Sequence, residues 1–356
     1  TGATGFLGSY IIKDLVKNKY KVRCIARDKG KAKVLKNVDI VYGDLLNKND
    51  VLKAVKGCKI IIHAAAVIFG KGSDFDANVA STKNLIEACK KFKINRFIFI
   101  SSIAATTKNL GYYGRSKLEC EKLLLNSDLN LTIFQPTLIY GKGSGPFSKI
   151  INFIEKFPLF IPMVGSGNNK FRPVYVEDVA KLVTKAVKIQ KAGAYLVGGM
   201  DYITFNKLID SILINRKLRK IKLHIPYSIC TLLVALLGNF SNRFPINKRS
   251  ITALKEDSFI DISKAERDFN YRPINNTTIE LIKKTKKTKM INFLLNFDID
   301  LLESNFYKHI YKQSPDTNEI TECVRPSYIP ILHTTTPYYT KKEINDDDLK
   351  IMANQF

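Results

Sequence analysis

Apolar positions along the first hundred residues fall into two rhythms. Residues 21–26, 39–42, 59–63 and 96–100 are short runs rich in β-branched and aromatic side chains. Between them the apolar residues take helical spacing, as in Leu7, Ile11 and Leu15 and again over residues 78–91. Near-continuous apolar strands alternating with helices predict an α/β fold with a parallel sheet covered on both faces. Ligands of such sheets bind beyond the carboxyl ends of the strands. The small and polar residues that follow these runs therefore matter: Ala26-Arg27-Asp28, Gly43-Asp44-Leu45, Ala64-Ala65-Ala66 and Ser101-Ser102.

The chain opens on Thr1-Gly2-Ala3-Thr4-Gly5-Phe6-Leu7-Gly8, directly before the first helical pattern. Glycines at these three positions permit a tight turn, close approach of a pyrophosphate and close helix–sheet packing. The helix N-terminus then offers bare amides and a positive dipole. A strand should precede such a turn. The expectation is that the first strand lies upstream, with any targeting peptide left undetermined.

These motifs, together with a strand ending in Ser-Ser and the stretch Tyr113-Gly114-Arg115-Ser116-Lys117, resemble the extended short-chain dehydrogenase/reductase family, also called the NAD-dependent epimerase/dehydratase family. The resemblance runs from residue 1 to about residue 285. It implies a Rossmann-type, doubly wound parallel sheet with a smaller C-terminal substrate domain and an unassigned tail. The corresponding division is 1–140 for NAD(P) binding, 141–289 for a substrate region with segments returning to the sheet, and 290–356 for the tail. Gly2, Gly5, Phe6, Leu7 and Gly8 would hold the pyrophosphate, Asp44 and Leu45 the adenine, and Ala64 and Ala65 the wall beside pyrophosphate and ribose.

Tyr113 and Lys117 stand one helical turn apart. A tyrosine whose pKa is lowered by a neighbouring ammonium moves a proton near neutral pH. The resemblance makes Tyr113 the acid/base, gives Lys117 the tuning of that tyrosine and a hold on the nicotinamide ribose, and lets Ser102 bond the substrate oxygen. Ser102 and Tyr113 are only 11 residues apart. The family usually has a longer loop here, so a more open pocket is expected.

Arg27 stands where NADP-preferring reductases of the family carry arginine, and Lys29, Lys31 and Lys33 follow. These charges favour NADP over NAD, although Asp28 keeps NAD open. Residues 131–141 resemble the strand that returns to the site, with Gln135 where the family often has arginine. Arg172 is a candidate clamp for a nucleotide-sugar phosphate, or else a surface arginine closing a hairpin. Ile103 and Ala104 follow Ser102, where dehydratases carry acids, which argues against dehydration. A nucleotide-sugar epimerase and a dihydroflavonol- or hydroxysteroid-type reductase remain open. From another class, so does a non-catalytic nucleotide-binding scaffold subunit.

Composition changes this picture only at the edges. The 356 residues include 57 lysines and arginines against 32 acids, a net charge of +25. The cations are spread along the chain and no nucleic-acid motif accompanies them, so nucleic-acid binding is not expected. From Met290 onward acids outnumber bases, which marks the tail. Cys24, Cys58, Cys89, Cys120, Cys230 and Cys323 are scattered, without metal-ligand spacing. No disulfide framework and no metal are expected, and a reducing compartment, the cytoplasm, fits. Residues 225–238 are apolar, too short to span a bilayer, and flanked by basic residues. A core helix, a contact with an anionic membrane surface, and pairing of two copies through a helix face are the three readings of that stretch.

Overall fold

The structure is a computed structural model that describes residues 1–273 apart from 34, 69–71, 109 and 238–256. Helix α1 (Phe6–Lys17) starts straight from the glycine turn, and β1 (Arg23–Ala26), α2 (Lys29–Ala32), β2 (Asp39–Tyr42) and α3 (Lys48–Val55) follow. Next come β3 (Ile60–His63), α4 (Asp76–Lys91), β4 (Arg96–Ile100), α5 (Tyr112–Leu125) and β5 (Asn130–Pro136). The middle of the chain holds β6 (Ile139–Tyr140), α6 (Gly145–Lys156), β7 (Phe160–Val164), β8 (Lys170–Phe171), β9 (Val174–Tyr175) and α7 (Val176–Ile189). The described part closes with β10 (Gly193–Val197), β11 (Ile203–Thr204), α8 (Phe205–Arg216), β12 (Ile221–Ile225), α9 (Tyr227–Leu237) and α10 (Ser263–Phe269). Each of the four apolar runs read from the sequence contains a strand, and α4 covers residues 78–91.

Strands β3, β4, β5 and β10 form one parallel sheet in the order β10-β5-β4-β3, and β1 pairs with β2 in parallel. Strand β4 shows why its sequence is apolar throughout. Phe97 and Phe99 pack on one face with Leu85 and Cys89 of α4 and Leu124 of α5. Ile98 and Ile100 pack on the other with Ile11 of α1, Val183 of α7 and Phe269 of α10. Both faces are covered, so alternation vanishes, and each fully buried side chain contributes about 1.5–3 kcal/mol.

Between β1 and β3 lies a cavity of about 710 Å³, lined by Cys24 and Ile25 on one side and by Ile60, Ile61 and Ile62 on the other. Thr1 already runs alongside β3, since its amino group donates to the Ile62 carbonyl at 2.7 Å and its own carbonyl accepts from Ala64 at 3.3 Å. The cavity thus lies where two parallel strand edges face each other across unfilled apolar space.

Segments after residue 141 serve both lobes. Strand β9 pairs with β6, β10 joins the main sheet, and α7 packs on α1. A second core forms around Ile154, Ile161, Met163, Leu208, Ile209 and Ile212. Contacts divide the chain into Thr1–Ile291 and Asn292–Phe356, and the second unit lies outside the described residues. The acidic tail and residue 238 of the apolar stretch at 225–238 therefore receive no structural account.

Candidate functional site

The glycine turn is built for close approach. Gly2 has φ +73°, and a Cβ there would lie 2.6 Å from the backbone of Ala64 and Ala65. At Gly8 a Cβ would fall 2.0 Å from the Gly2 carbonyl oxygen, so α1 passes over the turn with no room for a side chain. Helix α1 begins at Gly5 without a side-chain cap, which leaves its first amides directed beyond the sheet. Gly2, Gly5, Phe6, Leu7, Gly8, Ala64 and Ala65 meet at this one place, and its shape fits a pyrophosphate held by backbone amides.

Two neighbouring strand ends supply the next contacts. Asp44 and Leu45 follow β2, where the Asp44 amide donates to Asp50 at 3.1 Å and the Leu45 carbonyl accepts from Asn84 at 2.8 Å. Arg27 follows β1, exposed, with its guanidinium 3.6 Å from the Asp44 carboxylate. Asp28 faces elsewhere. Its side chain accepts from the Lys31 amide at 3.1 Å and caps α2, and that backbone hydrogen bond holds its carboxyl below the usual range. Both residues that bear on cofactor choice are therefore engaged, Asp28 in capping α2 and Arg27, still largely exposed, in a surface ion pair with Asp44.

Tyr113, Lys117 and Ser102 converge at the end of β4. Ser102 leads into a short 3-10 turn (Ile103–Ala105) and accepts from the Ala104 amide at 3.2 Å. Tyr113, the second residue of α5, brings its hydroxyl close to Ser102. The short connection is thus enough to bring the two hydroxyls together. Lys117 is fully buried and donates to the Ile100 carbonyl at 2.7 Å, with its ammonium 4.5 Å from the Phe99 ring centre. Burial pushes the Tyr113 hydroxyl up to about 12, with the Ser102 bond pulling the other way. Burial also pulls the Lys117 ammonium down to about 8, opposed by Cys120 and Glu121.

Here the structure differs from the sequence-based expectation of a tyrosine lowered by its lysine. Desolvation dominates both groups, and the ammonium is bonded to a carbonyl of β4. Arg172 differs too. Its Nε donates to the Gly199 carbonyl at 2.7 Å, one terminal nitrogen donates to Met200 at 3.2 Å, and the guanidinium lies over the Tyr202 ring. It braces the loop after β10. The wall beside Tyr113 is aromatic, with Phe75 stacked on Tyr112 at 6.2 Å and 6.4 Å from Tyr113.

The profile of the NAD dependent epimerase/dehydratase family matches residues 1–198, more than half of the chain. This chain belongs to that family. Its members are NAD(P)-dependent oxidoreductases and epimerases. Among curated relatives, the 2-alkyl-3-oxoalkanoate reductase of Shewanella oneidensis is 26% identical over 313 residues, covering 76% of this chain and 81% of its own. A 3-beta-hydroxysteroid dehydrogenase of Mycolicibacterium neoaurum is 24% identical over 332 residues, covering 78% and 87%. A UDP-glucuronic acid 4-epimerase from Bacillus cereus, solved with NAD, superposes with a TM-score of 0.63 at 21% identity, covering 82% of this chain and 97% of that one. That likeness shows the Rossmann-type fold.

Several residues of this family member's site were not singled out from the sequence. Glu121 lies one turn beyond Lys117 and is buried, accepting from Ser101 and, with both oxygens, from Gln135 at 3.0 Å. Its position on the inward face of α5 was a usable signal, since an acid four residues past a catalytic lysine shares its face. Asn78 of α4 bonds both backbone groups of Val67 and the Ser116 hydroxyl, tying the loop after β3 to α5. His63 is buried between Thr1 at 2.7 Å and Thr82 at 3.2 Å, and desolvation holds its pKa well below the usual value, so it is a neutral brace. Among the described residues no cluster has metal-ligand composition, and the five cysteines there are free.

Proposed function

We propose that this protein is an NADP(H)-dependent reductase of a ketone, or the dehydrogenase of the matching secondary alcohol, with a lipophilic substrate. The observation that carries the reading is the Ser102–Tyr113 contact beside buried Lys117, set against an aromatic wall while Arg172 is engaged by backbone carbonyls. A sugar-nucleotide diphosphate would need a free cation at that position, whereas an apolar ketone needs none. The names of the oxoalkanoate reductase and the hydroxysteroid dehydrogenase point to the same class of substrate.

In this reading Ser102 holds the substrate oxygen and Tyr113 gives it a proton. A phenol raised to about 12 arrives protonated at neutral pH, which suits the reductive direction. A nicotinamide cofactor held at the glycine turn and by Lys117 would supply the hydride, leaving the alcohol and the oxidised cofactor as products. Lys117 would hold the ribose and bring positive charge close to Tyr113. Arg27, exposed and beside Asp44, would meet the 2′-phosphate.

Consumption of NADPH and of NADH is followed with a panel of 3-oxoalkanoates and 3-ketosteroids, and UDP-sugar interconversion is assayed alongside. The expected outcome is turnover of a lipophilic ketone with NADPH preferred. Tyr113→Phe is expected to lose about 10²–10⁴-fold in kcat while binding NADPH as before. Sugar interconversion with retained NAD, and no ketone reduction, would make the protein an epimerase. Cofactor binding without either activity would make it a scaffold.

A further inference from the structure

Strand β12 leaves most of its apolar face uncovered, with only Ile225 packed, against Val164 and Cys230. Its sequence alternates, with Lys222 and His224 on one face and Ile221 and Leu223 on the other. In a strand of a water-soluble sheet the apolar face normally turns to the core. Here the polar face turns toward α8, with Lys222 half-buried and His224 exposed. Lys222 donates to Asp210 of α8 at 2.7 Å, and His224 lies 3.1 Å from Asn206 of the same helix. Ile221 and Leu223 are left 74% and 51% exposed.

The exposed face does not end with the strand. Ile221 pairs with Phe160 and its amide donates to the Leu159 carbonyl at 3.0 Å, and both of those side chains are exposed. Directly after β12, α9 buries Cys230 against Val164 but exposes Ile229 and Leu232. Six large apolar side chains are thus exposed, two at the start of β7, two on its partner β12 and two on α9, which follows β12.

Six cations stand near it in the sequence, three of them engaged and three, among the described residues, not. Arg216 pairs with Glu155, Lys222 with Asp210, and Lys220 bonds the carbonyls of Ile154 and Phe157. Lys156, Lys217 and Arg219 enter no ion pair among the described residues. They sit three residues or fewer from Leu159 or four or fewer from Ile221, at the rim of the apolar face.

We propose that this face docks the protein on the surface of an anionic lipid bilayer. Leu159, Phe160, Ile221 and Leu223 enter the headgroup–acyl boundary while Lys156, Lys217 and Arg219 meet the lipid phosphates. Apolar side chains ringed by lysine and arginine match that boundary in both layers. No helix among the described residues is long and apolar enough to cross a membrane, so the contact is peripheral. The proposal does not depend on the catalytic reading, although a membrane is where a lipophilic ketone would be met.

The test is co-sedimentation of the full chain with vesicles of phosphatidylcholine alone and of phosphatidylcholine mixed with phosphatidylserine. Binding to the anionic vesicles, weakened by salt, is expected, with little binding to the neutral ones. The double variant Ile221→Ser/Leu223→Ser and the double variant Lys217→Glu/Arg219→Glu are each expected to lose about tenfold in vesicle affinity. Lys53→Glu/Lys90→Glu makes the same change in net charge at exposed positions of α3 and α4 and is expected to bind normally. Tyr113→Phe is expected to bind vesicles like the wild type, and Ile221→Ser/Leu223→Ser to keep its turnover of a water-soluble ketone, which separates this proposal from the catalytic one. No binding to anionic vesicles overturns it. So does an equal loss in the Lys53/Lys90 control, which would mean bulk polycation binding. A dimer in sedimentation equilibrium that Ile221→Ser/Leu223→Ser dissociates, with no vesicle binding, would assign the face to a second copy instead.

Discussion

Strands β4 and β12 are both five residues long and both carry large apolar side chains, yet they stand in opposite relation to solvent. In β4 every residue is buried, because helices cover both faces of the main sheet. In β12 the polar positions face a helix and two of the apolar ones face outward. The first strand positions chemistry: its carboxyl end delivers Ser101 and Ser102, and its Ile100 carbonyl holds the Lys117 ammonium. The second presents a surface. Burial on both sides makes a rigid platform, whereas an edge strand in a two-stranded sheet keeps one face free for something outside the chain.

The largest expected effect tests the first half of that contrast. Ile98→Ala removes a side chain with no exposure and is expected to cost about 2–5 kcal/mol, read from denaturant unfolding. A smaller value would mean that the platform repacks easily.

A pH series sharpens the comparison at the end of β4. Lys117 has an ordinary pKa of 10.5 and a folded-state value of about 8, because burial penalises its charge. Between those values the unfolded chain binds more protons than the folded one, so this group makes stability rise with pH through that window. Lys117→Met removes the effect. The difference in melting temperature between wild type and variant is expected to move in favour of the wild type from about pH 8 to about pH 10. A flat difference would mean that the ammonium is solvated and the site open to water.

The smallest effect is expected on β12. Ile221→Ser should change stability by no more than about 0.5 kcal/mol in the same denaturant assay, as for other surface substitutions. A cost like that of Ile98→Ala would show that something in the chain already covers Ile221, and would break the comparison.

Much of the site is legible in the amino-acid sequence. Gly2, Gly5 and Gly8 before a helical pattern, and Tyr113 four residues before Lys117, depend on local spacing alone, which a sequence displays directly. Three things are less legible. The direction of the Tyr113 shift depends on how much solvent the fold removes, and neighbouring residue types do not report that. Arg172 reads equally as a phosphate clamp or a structural arginine, because its carbonyl partners, Gly199 and Met200, lie 27 and 28 residues away. Asp28 reads as a competitor to Arg27, whereas its carboxylate is occupied in capping α2.

By itself, the sequence determined the alternation of strands and helices over the first hundred residues and the family. It did so because periodicity, glycine freedom and one-turn spacing are properties of nearby residues. Only the tertiary structure decided which way each two-sided element faces. The alternation in Ile-Lys-Leu-His-Ile announces a strand with two unlike faces but carries no sign saying which is inward. Asp210 and Asn206 of α8 settle that by bonding Lys222 and His224, and Ile221 and Leu223 are left to the outside.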